Sequence, residues 1–425
     1  MQVRLLGFSR MGGDVSGVAR LARLCGLVGL AAIGGCARMT TLRAENTEIK
    51  GLARFEGTIS VEGWHGQPLW VVIAQKPRQT GETLIIKSRI PLNQPGPYAI
   101  ILEPGEYMVG AFEDSNNSGR YDVGERAGAY KDLAPIDARN GGLKKQLDVN
   151  INDEIPTILR KPLDVTVLQP SSVGRGSVVA LSDPRFAPEN AELGVWQPAT
   201  FQAKVGMGLF MLEAYDPKRI PVLFVHGMGG HPREFETLIA CLDKRRFQVW
   251  VVQYASGWEL TPIARGISYV LTELQRKYAF ERVYVVAHSM GGLVSRRMLQ
   301  EHLQSNPTPF ITKFVTLDSP LGGMPSAELG VHMSPSVVPS WRDIGPDSEF
   351  LKHLYDQPLP PALEYTLFFA FHDGEADDGV VALPSQLRQD ALNEATRVHF
   401  FENTHTGVLK DPRVCEALAA ELSRK

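Results

Sequence analysis

A serine stands where the chain is predicted to turn sharply from a strand into a helix. It is Ser289, in the segment AHSMGG at residues 287–292. The apolar run Arg282–Ala287 predicts a buried strand, and Gly292–Leu303 predicts a helix. Small residues, Ala287 and Gly291, lie two positions before and after the serine, as so tight a turn requires. The N-terminus of the helix would favour negative charge that develops beside the serine. The pattern favours a nucleophilic serine over a chance turn of small residues.

A glycine-rich loop is the second feature with chemical potential. The apolar run Pro221–Val225 predicts a strand, and the sequence HGMGG follows it at residues 226–230. Glycine lets backbone N–H groups come close to a tetrahedral intermediate, because no Cβ blocks the approach. The alternative is a loop that only turns the chain. Its combination with the Ser289 segment favours an anion-binding loop.

A serine hydroxyl is a poor nucleophile until a base, most often histidine, removes its proton. Of the ten histidines, His405 fits this role, because it follows the predicted strand Val398–Phe401 and precedes the last predicted helix. His399 lies inside that strand and His372 ends another, so we interpret both as structural. We therefore predict that His405 is the base.

The base needs a carboxylate that orients its imidazole and stabilises the imidazolium. One group of candidates, Asp373, Asp377 and Asp378, follows the predicted strand Tyr365–Phe371. Another candidate, Asp318, ends the predicted strand Ile311–Leu317 in the sequence TLDSP.

These motifs resemble those of the α/β-hydrolase superfamily over about residues 215–425, and most closely those of bacterial lipases and GPI inositol-deacylase-like hydrolases. Small lipases of the Bacillus type carry AHSMG at this point, although Ala287 replaces the first glycine of the usual G-x-S-x-G pattern. The resemblance implies hydrolysis of carboxylic esters through an acyl-enzyme on Ser289, without a metal or organic cofactor for catalysis. It also implies that the backbone amides of Met228 and Met290 bind the oxyanion.

The resemblance bears on the acid as well. Related bacterial lipases place their acid directly before a short run ending in valine, as in DGVV at residues 378–381, which favours Asp378. Pancreatic-type lipases take their acid from the strand that Asp318 ends, so Asp318 is the rival. Two other functions remain open: an acyltransferase with the same triad, and a non-catalytic envelope-binding lipoprotein.

The elements that must position these residues alternate between strands and helices from Ile220 onward. Nearly continuous apolar runs are typical of parallel strands that are buried on both faces. The predicted fold class is therefore α/β: an α/β-hydrolase with a doubly wound, mostly parallel sheet, in a catalytic domain at residues 215–425. The stretch 321–362 contains apolar residues where hydrolases insert caps, and we expect either an apolar cap or a surface loop.

A small all-β sandwich is predicted before the catalytic domain. Short runs rich in β-branched and aromatic residues, separated by Gly, Pro and Asn, fill residues 51–155. The run PYAIILEPGEYMVGAFEDSN resembles transthyretin-like and carboxypeptidase-regulatory-like modules, which are usually accessory. Residues 156–214 are expected to be a linker and the leading strands of the second domain. At 425 residues the chain is long enough for two domains.

The N-terminus is typical of an exported protein. Four arginines precede or enter an apolar stretch, Leu24–Gly35, that is too short to span a bilayer. It ends at IGGC, which resembles the lipobox of bacterial lipoproteins, and this implies a signal peptide at residues 1–35 and a lipid, such as palmitate, on Cys36. Residues 36–50 would be a tether. Ala37 and Arg38 favour the outer membrane by the same resemblance. An ordinary signal peptide or an N-terminal helix is the alternative.

An EF-hand-like pattern lies between two predicted strands of the sandwich. Oxygen-bearing side chains recur at alternate positions around Gly119, which suits Ca²⁺. The predicted ligands of a structural calcium ion are Asp114, Asn116, Ser118, Asp122 and Glu125. Flanking helices are missing, so a polar loop is the alternative.

The net charge and the cysteines bear on the partners of the chain and on a possible disulfide. The formal net charge is −3, so nothing indicates nucleic-acid binding. The expected partners are an ester or lipid substrate and a membrane that holds the N-terminal lipid. Export permits a disulfide between Cys241 and Cys415, but sequence does not show whether they are close.

Overall fold

The computed structural model describes residues 31–75, 84–160, 165–167 and 173–424. It begins with helix α1 (Ala31–Gly51) and continues into short strands rich in β-branched and aromatic residues. These strands are β1 (Ala53–Val61), β2 (Leu69–Gln75), β3 (Leu84–Leu92), β4 (Gly96–Leu102), β5 (Gly105–Glu113), β6 (Ala127–Ala129), β7 (Ile136–Ala138), β8 (Gly142–Lys144) and β9 (Val149–Ile151).

The strands form two sheets with an apolar core. In one, β1 pairs with β4 in antiparallel fashion and with β8 and β9 in parallel fashion. The other has the order β3-β2-β5-β6, with β7 also on β5. Buried residues of both sheets, such as Phe55, Val71 and Val109, belong to one cluster. Strands β8 and β9 are separate, and Gln146 between them has a positive φ of 58°, which interrupts an extended strand.

The predicted catalytic domain is built on a sheet that has eight strands within the described residues. Its order is β11-β12-β14-β13-β15-β16-β17-β18, and β12 is antiparallel to β14 while the other pairs are parallel. The remaining strands of the chain are β10 (Val165–Val167, parallel to β3), β11 (Val173–Val178), β12 (Met207–Met211), β13 (Ile220–Val225), β14 (Phe247–Gln253), β15 (Val283–His288), β16 (Ile311–Leu317), β17 (Glu364–Phe371) and β18 (Arg397–Glu402).

Helices cover both faces of this sheet, which confirms the predicted α/β class. They are α2 (Glu189–Trp196), α3 (Pro198–Lys204), α4 (Glu236–Ala240), α5 (Leu260–Tyr278), α6 (Met290–Ser305), α7 (Pro325–Met333), α8 (Pro339–Ile344), α9 (Glu349–His353), α10 (Leu383–Gln386), α11 (Gln389–Glu394) and α12 (Pro412–Ser423). Apolar side chains of α5 and α6 pack on one face, and those of α12 pack on the other. The stretch predicted as a cap or a loop contains α7 to α9.

Residues 36–50, expected to be a tether, instead form most of helix α1. Leu42 is fully buried and packs with Val195 and Val338. The carboxylate of Glu45 accepts hydrogen bonds from the N–H groups of Ala199 (2.8 Å) and Thr200 (3.1 Å), at the N-terminus of α3. A carboxylate is stabilised there by the unpaired amides and the helix dipole. This face of α1 is short and interrupted by polar residues, so its sequence lacks an amphipathic signal.

Much of the predicted export signal lies outside the described residues. Residues 1–30 are among those not described, as is the side chain of Cys36, whose backbone lies in α1. Among the helices that the structure describes, none combines the length and the apolar character needed to span a membrane.

A disulfide joins Cys241, at the end of α4, to Cys415 in α12. Their Cα atoms are 5.9 Å apart, although 174 positions separate them in sequence. The distance is within the usual range for a disulfide. The bond connects two helices on one face of the sheet and agrees with an oxidising compartment.

Candidate active site

The turn between β15 and α6 has the strained backbone that the sequence predicts. Ser289 has φ 54° and ψ −132°, which is unusual for a residue with a side chain. Its N–H donates to the carbonyl of Leu317 (2.9 Å), which fixes the turn against β16. A Cβ on Gly291 would overlap the carbonyl oxygens of Val225 and His226, so only glycine fits there. The strain is held by these close contacts and aims the Ser289 hydroxyl away from the sheet.

The structure brings Ser289, His405 and Asp378 together in one hydrogen-bonded series. His405 Nε2 lies 2.9 Å from Ser289 Oγ, and His405 Nδ1 lies 2.7 Å from Asp378 Oδ2. The other carboxylate oxygen of Asp378 accepts from the N–H groups of Val380 (2.9 Å) and Val381 (2.7 Å). All three members are nearly excluded from solvent. In this arrangement a proton can move from the hydroxyl to an imidazole whose other nitrogen is already paired.

The rival carboxyl, Asp318, lies close to this series but is not part of it. Atoms of Asp318, Asp378 and His405 all lie within 4.8 Å of one another. Asp318 is fully buried, and neither of its carboxyl oxygens has a hydrogen-bond partner. Burial, followed by the neighbouring charge of Asp378, raises the pKa of Asp318 well above its ordinary value. The charged form of Asp318 is therefore disfavoured relative to that of an exposed aspartate.

Burial sets the proton affinity of the histidine. It lowers the pKa of His405 below the ordinary 6.5, and the hydrogen bond with Asp378 opposes this shift without cancelling it. The imidazole is therefore unprotonated at neutral pH, as a base must be.

The two predicted oxyanion residues lie on either side of the serine. Met290 is the first residue of α6, so its N–H has no acceptor within the helix. Met228 lies in the loop after β13, where Gly227 contacts Ser289. The N–H of Gly229 donates to Ser256 Oγ (3.0 Å), which helps to hold the loop.

We expect Gly227→Ala to reduce kcat/KM by about 100-fold, because small displacements of reacting groups have effects of this order. The added Cβ would lie 2.7 Å from Ser289 Cβ and 3.1 Å from Ser289 Oγ, so the serine must move. Ester hydrolysis by the folded variant is the measurement. Gly266→Ala, where a Cβ meets nothing within 4 Å, is the matched control. Normal activity of Gly227→Ala would contradict the close contact.

Three other histidines have partners other than the Ser289 hydroxyl. His399 Nε2 is 3.2 Å from Glu421, and His372 pairs with Asp373. His226 stacks on Tyr254, whose hydroxyl donates to the His226 carbonyl. Burial lowers the pKa of His226 to about 4, so it is a neutral part of the loop.

Sequence reasoning missed the function of two residues, Glu234 and His288. Glu234 lies in the turn after the glycine-rich loop and faces His288, the residue before the serine. The sequence contains a weak signal, because Glu234 stands three positions after His231 as in a capping box, and the structure contains that box.

The predicted calcium ligands come together in one loop and bond to one another. Asp114 accepts from the N–H groups of Ser118 and Gly119, and Asn116 donates to Asp122. The oxygens of Glu125 accept from backbone N–H groups of the same loop. Within the described residues, the group of acidic and histidine side chains close enough to share a metal is Asp318, Asp378 and His405. The calcium site therefore stays a prediction.

Comparison with known proteins agrees with this topology. Residues 220–343 match the family model of the alpha/beta hydrolase fold, which includes β13, the glycine-rich loop and Ser289. No curated protein matches the chain in sequence.

Three solved structures illustrate the similarity. The mature lipase BlEst2 of Bacillus licheniformis is 17% identical, with 51% of this chain and 98% of that chain covered (TM-score 0.41). Lipase B of Aspergillus fumigatus is 17% identical, with 51% of this chain and 56% of that chain covered (TM-score 0.38). A lipase-esterase related protein from Clostridium acetobutylicum is 12% identical, with 51% of this chain and 98% of that chain covered (TM-score 0.34). The sheet order and the family model together show that the C-terminal part of this chain has the α/β-hydrolase fold.

Proposed function

We propose that the chain hydrolyses carboxylic esters through an acyl-enzyme on Ser289. The observation that carries this proposal is the hydrogen-bonded series from Ser289 Oγ through His405 to Asp378. The strained turn and the adjacent glycine-rich loop support it, because acyl transfer needs a nucleophile held on a tight turn beside oxyanion donors.

In the proposed reaction His405 Nε2 takes the hydroxyl proton as Ser289 Oγ attacks the ester carbon. The negative oxygen of the tetrahedral intermediate faces the amides of Met228 and Met290. The intermediate collapses, and the alcohol leaves with the proton from His405. Water then repeats the sequence, releasing the carboxylic acid and restoring the serine. Asp378 keeps the imidazole oriented throughout and stabilises its charged form.

We further propose that the acyl group is apolar. The side chain of Met228 packs against a cluster formed by Leu42, Val195 and Val338, with two tryptophans at its border. Apolar surroundings beside oxyanion donors favour a hydrocarbon chain over a charged group. Activity of the full chain on p-nitrophenyl esters of increasing acyl length tests this. An optimum at long chains supports a lipid ester, and an optimum at acetate contradicts it.

The pH dependence of this activity follows from His405. Because the base acts unprotonated and burial lowers its pKa, kcat/KM should fall on acidification with a midpoint below 6.5. The full chain should therefore keep its activity at mildly acidic pH, where an exposed histidine would be protonated. Rates measured from about pH 4 to about pH 9 would check this. A midpoint above 6.5 would count against the assignment.

We also propose that Cys36 carries a lipid that holds the enzyme at the outer membrane. The support is the IGGC sequence after a short apolar stretch. Cells grown with labelled palmitate should incorporate the label into the chain. Cys36→Ser should remove both the label and the membrane association, whereas Cys25→Ser should remove neither. Label that persists in the Cys36 variant would show that another residue is acylated.

A further inference from the structure

A second imidazole, that of His288, contacts the base from the nucleophile's side. His288 ends β15, is 4% exposed, and directly precedes Ser289. Its Nε2 lies 2.9 Å from the carbonyl oxygen of His405. A carbonyl oxygen only accepts, so His288 Nε2 carries a hydrogen and donates it. The strand that ends at the nucleophile is thereby bonded to the peptide of the base.

The peptide of His405 is held from both sides. Its N–H donates to the carbonyl of Asp378 (2.9 Å), while its carbonyl accepts from His288. The imidazole of His405 is in turn bonded to Asp378 and Ser289. The backbone of His405 is therefore held by Asp378 and by His288, the neighbour of Ser289. The side chain of His405 bonds to Asp378 and Ser289.

A carboxylate faces the other nitrogen of His288. Glu234 Oε1 lies 3.7 Å from His288 Nδ1, and neither atom has a hydrogen-bond partner. Burial opposes ionisation of Glu234, but His288, His226 and His231 outweigh it, so the pKa of Glu234 is lowered. The groups that face His288 are thus Glu234, His226 and His405, with Asp378 behind His405. When Nδ1 of His288 also carries a hydrogen, a negative carboxylate across it favours the ring orientation in which Nε2 points at His405.

We propose that His288 is a positioning residue that sets the distance between Ser289 Oγ and His405 Nε2, and that Glu234 orients its ring. This inference rests on the proposed function. It assigns a role in the rate to the side chain in the second position of the AHSMG segment, acting through the peptide of His405. Because the hydrogen bond joins the nucleophile strand to the loop of the base, its loss lets the two reacting atoms separate.

The test compares two variants of His288, one that keeps a hydrogen-bond donor and one that removes it. In His288→Gln the side-chain amide can still donate to the His405 carbonyl, whereas in His288→Leu the donor is lost at similar volume. We expect His288→Leu to lower kcat by 10- to 100-fold, about the effect of misplacing a reacting group, with little change in KM. His288→Gln should retain most of the kcat. Active sites are counted with a p-nitrophenyl phosphonate, so that only folded enzyme is compared.

A pH profile separates positioning from a merely structural role. A positive charge on His288 lowers the pKa of His405, and the negative charge of Glu234 raises it. His288→Gln should therefore move the acidic limb of kcat/KM to higher pH, and Glu234→Gln should move it to lower pH. His302→Leu removes a buried histidine within α6, away from His405, and should leave the acidic limb of kcat/KM unchanged.

The outcomes are distinct. If wild-type enzyme neither turns over esters nor reacts with the phosphonate, the proposed function fails. If it is active but His288→Leu matches it, or His288→Gln is no better than His288→Leu, the positioning role is overturned. If the acidic limbs of kcat/KM coincide in His288→Gln and Glu234→Gln, the part assigned to Glu234 is overturned.

Discussion

Ser289→Ala should lower kcat on p-nitrophenyl esters by roughly 10⁵- to 10⁶-fold, the size of effect seen when a serine hydrolase loses its nucleophile. No other hydroxyl on the described residues is bonded to the His405 imidazole. Substrate binding should persist, so KM for residual turnover or the affinity for a product acid should change little. The measurement is steady-state hydrolysis by the full chain, with stability checked by thermal unfolding.

Ser295→Ala is the matched control for this variant. Ser295 lies in the same helix, is fully buried, and its hydroxyl has no hydrogen-bond partner. Alanine there should preserve both activity and fold. Equal residual activity in the two variants would show that the observed hydrolysis does not depend on Ser289.

The second large effect should distinguish the two buried carboxyls beside the base. Asp378→Asn should reduce kcat by about 10⁴-fold, as the equivalent change does in serine proteases, because an amide stabilises the wrong imidazole tautomer. Asp318→Asn should keep most of the activity. It replaces a carboxyl that has no hydrogen-bond partner, and whose charged form is disfavoured by burial, with a neutral group of the same shape.

The activity and unfolding midpoint of both variants would check this pair of predictions. The Asp378 variant should remain folded, because its neighbours Val380 and Val381 can still donate to the amide oxygen. A loss at Asp318 equal to that at Asp378 would mean that the two carboxyls act as one unit. A loss at Asp318 alone would reverse their roles.

The sequence predicts the reacting side chains better than it predicts what surrounds them. Ser289 and His405 lie at element ends whose local patterns are strong, so their positions follow from strand and helix signals. The choice between Asp378 and Asp318 depends on a distance, since both follow neighbouring strands of the same sheet. The Cys241–Cys415 bond is likewise a long-range contact that no local pattern indicates.

Neither the docking of helix α1 nor the hydrogen bond from His288 to the His405 carbonyl can be predicted from the sequence, and the reasons differ. The buried face of α1 includes a charged residue, Glu45, whose burial is offset only by the N-terminus of α3, a partner more than 150 positions away. His288 lies at the second position of the AHSMG segment, where the usual G-x-S-x-G pattern allows any residue, so its contact with the His405 carbonyl is visible only in three dimensions.

The docking of α1 has a mechanical consequence. A flexible leader would let the catalytic domain rotate freely about its attachment point, whereas α1 is joined to it by a buried leucine and a buried carboxylate. Tension or torque applied at the N-terminus therefore reaches Val195 and Val338, and through them the side chain of Met228. Whatever holds the start of α1 also fixes the direction in which the glycine-rich loop faces.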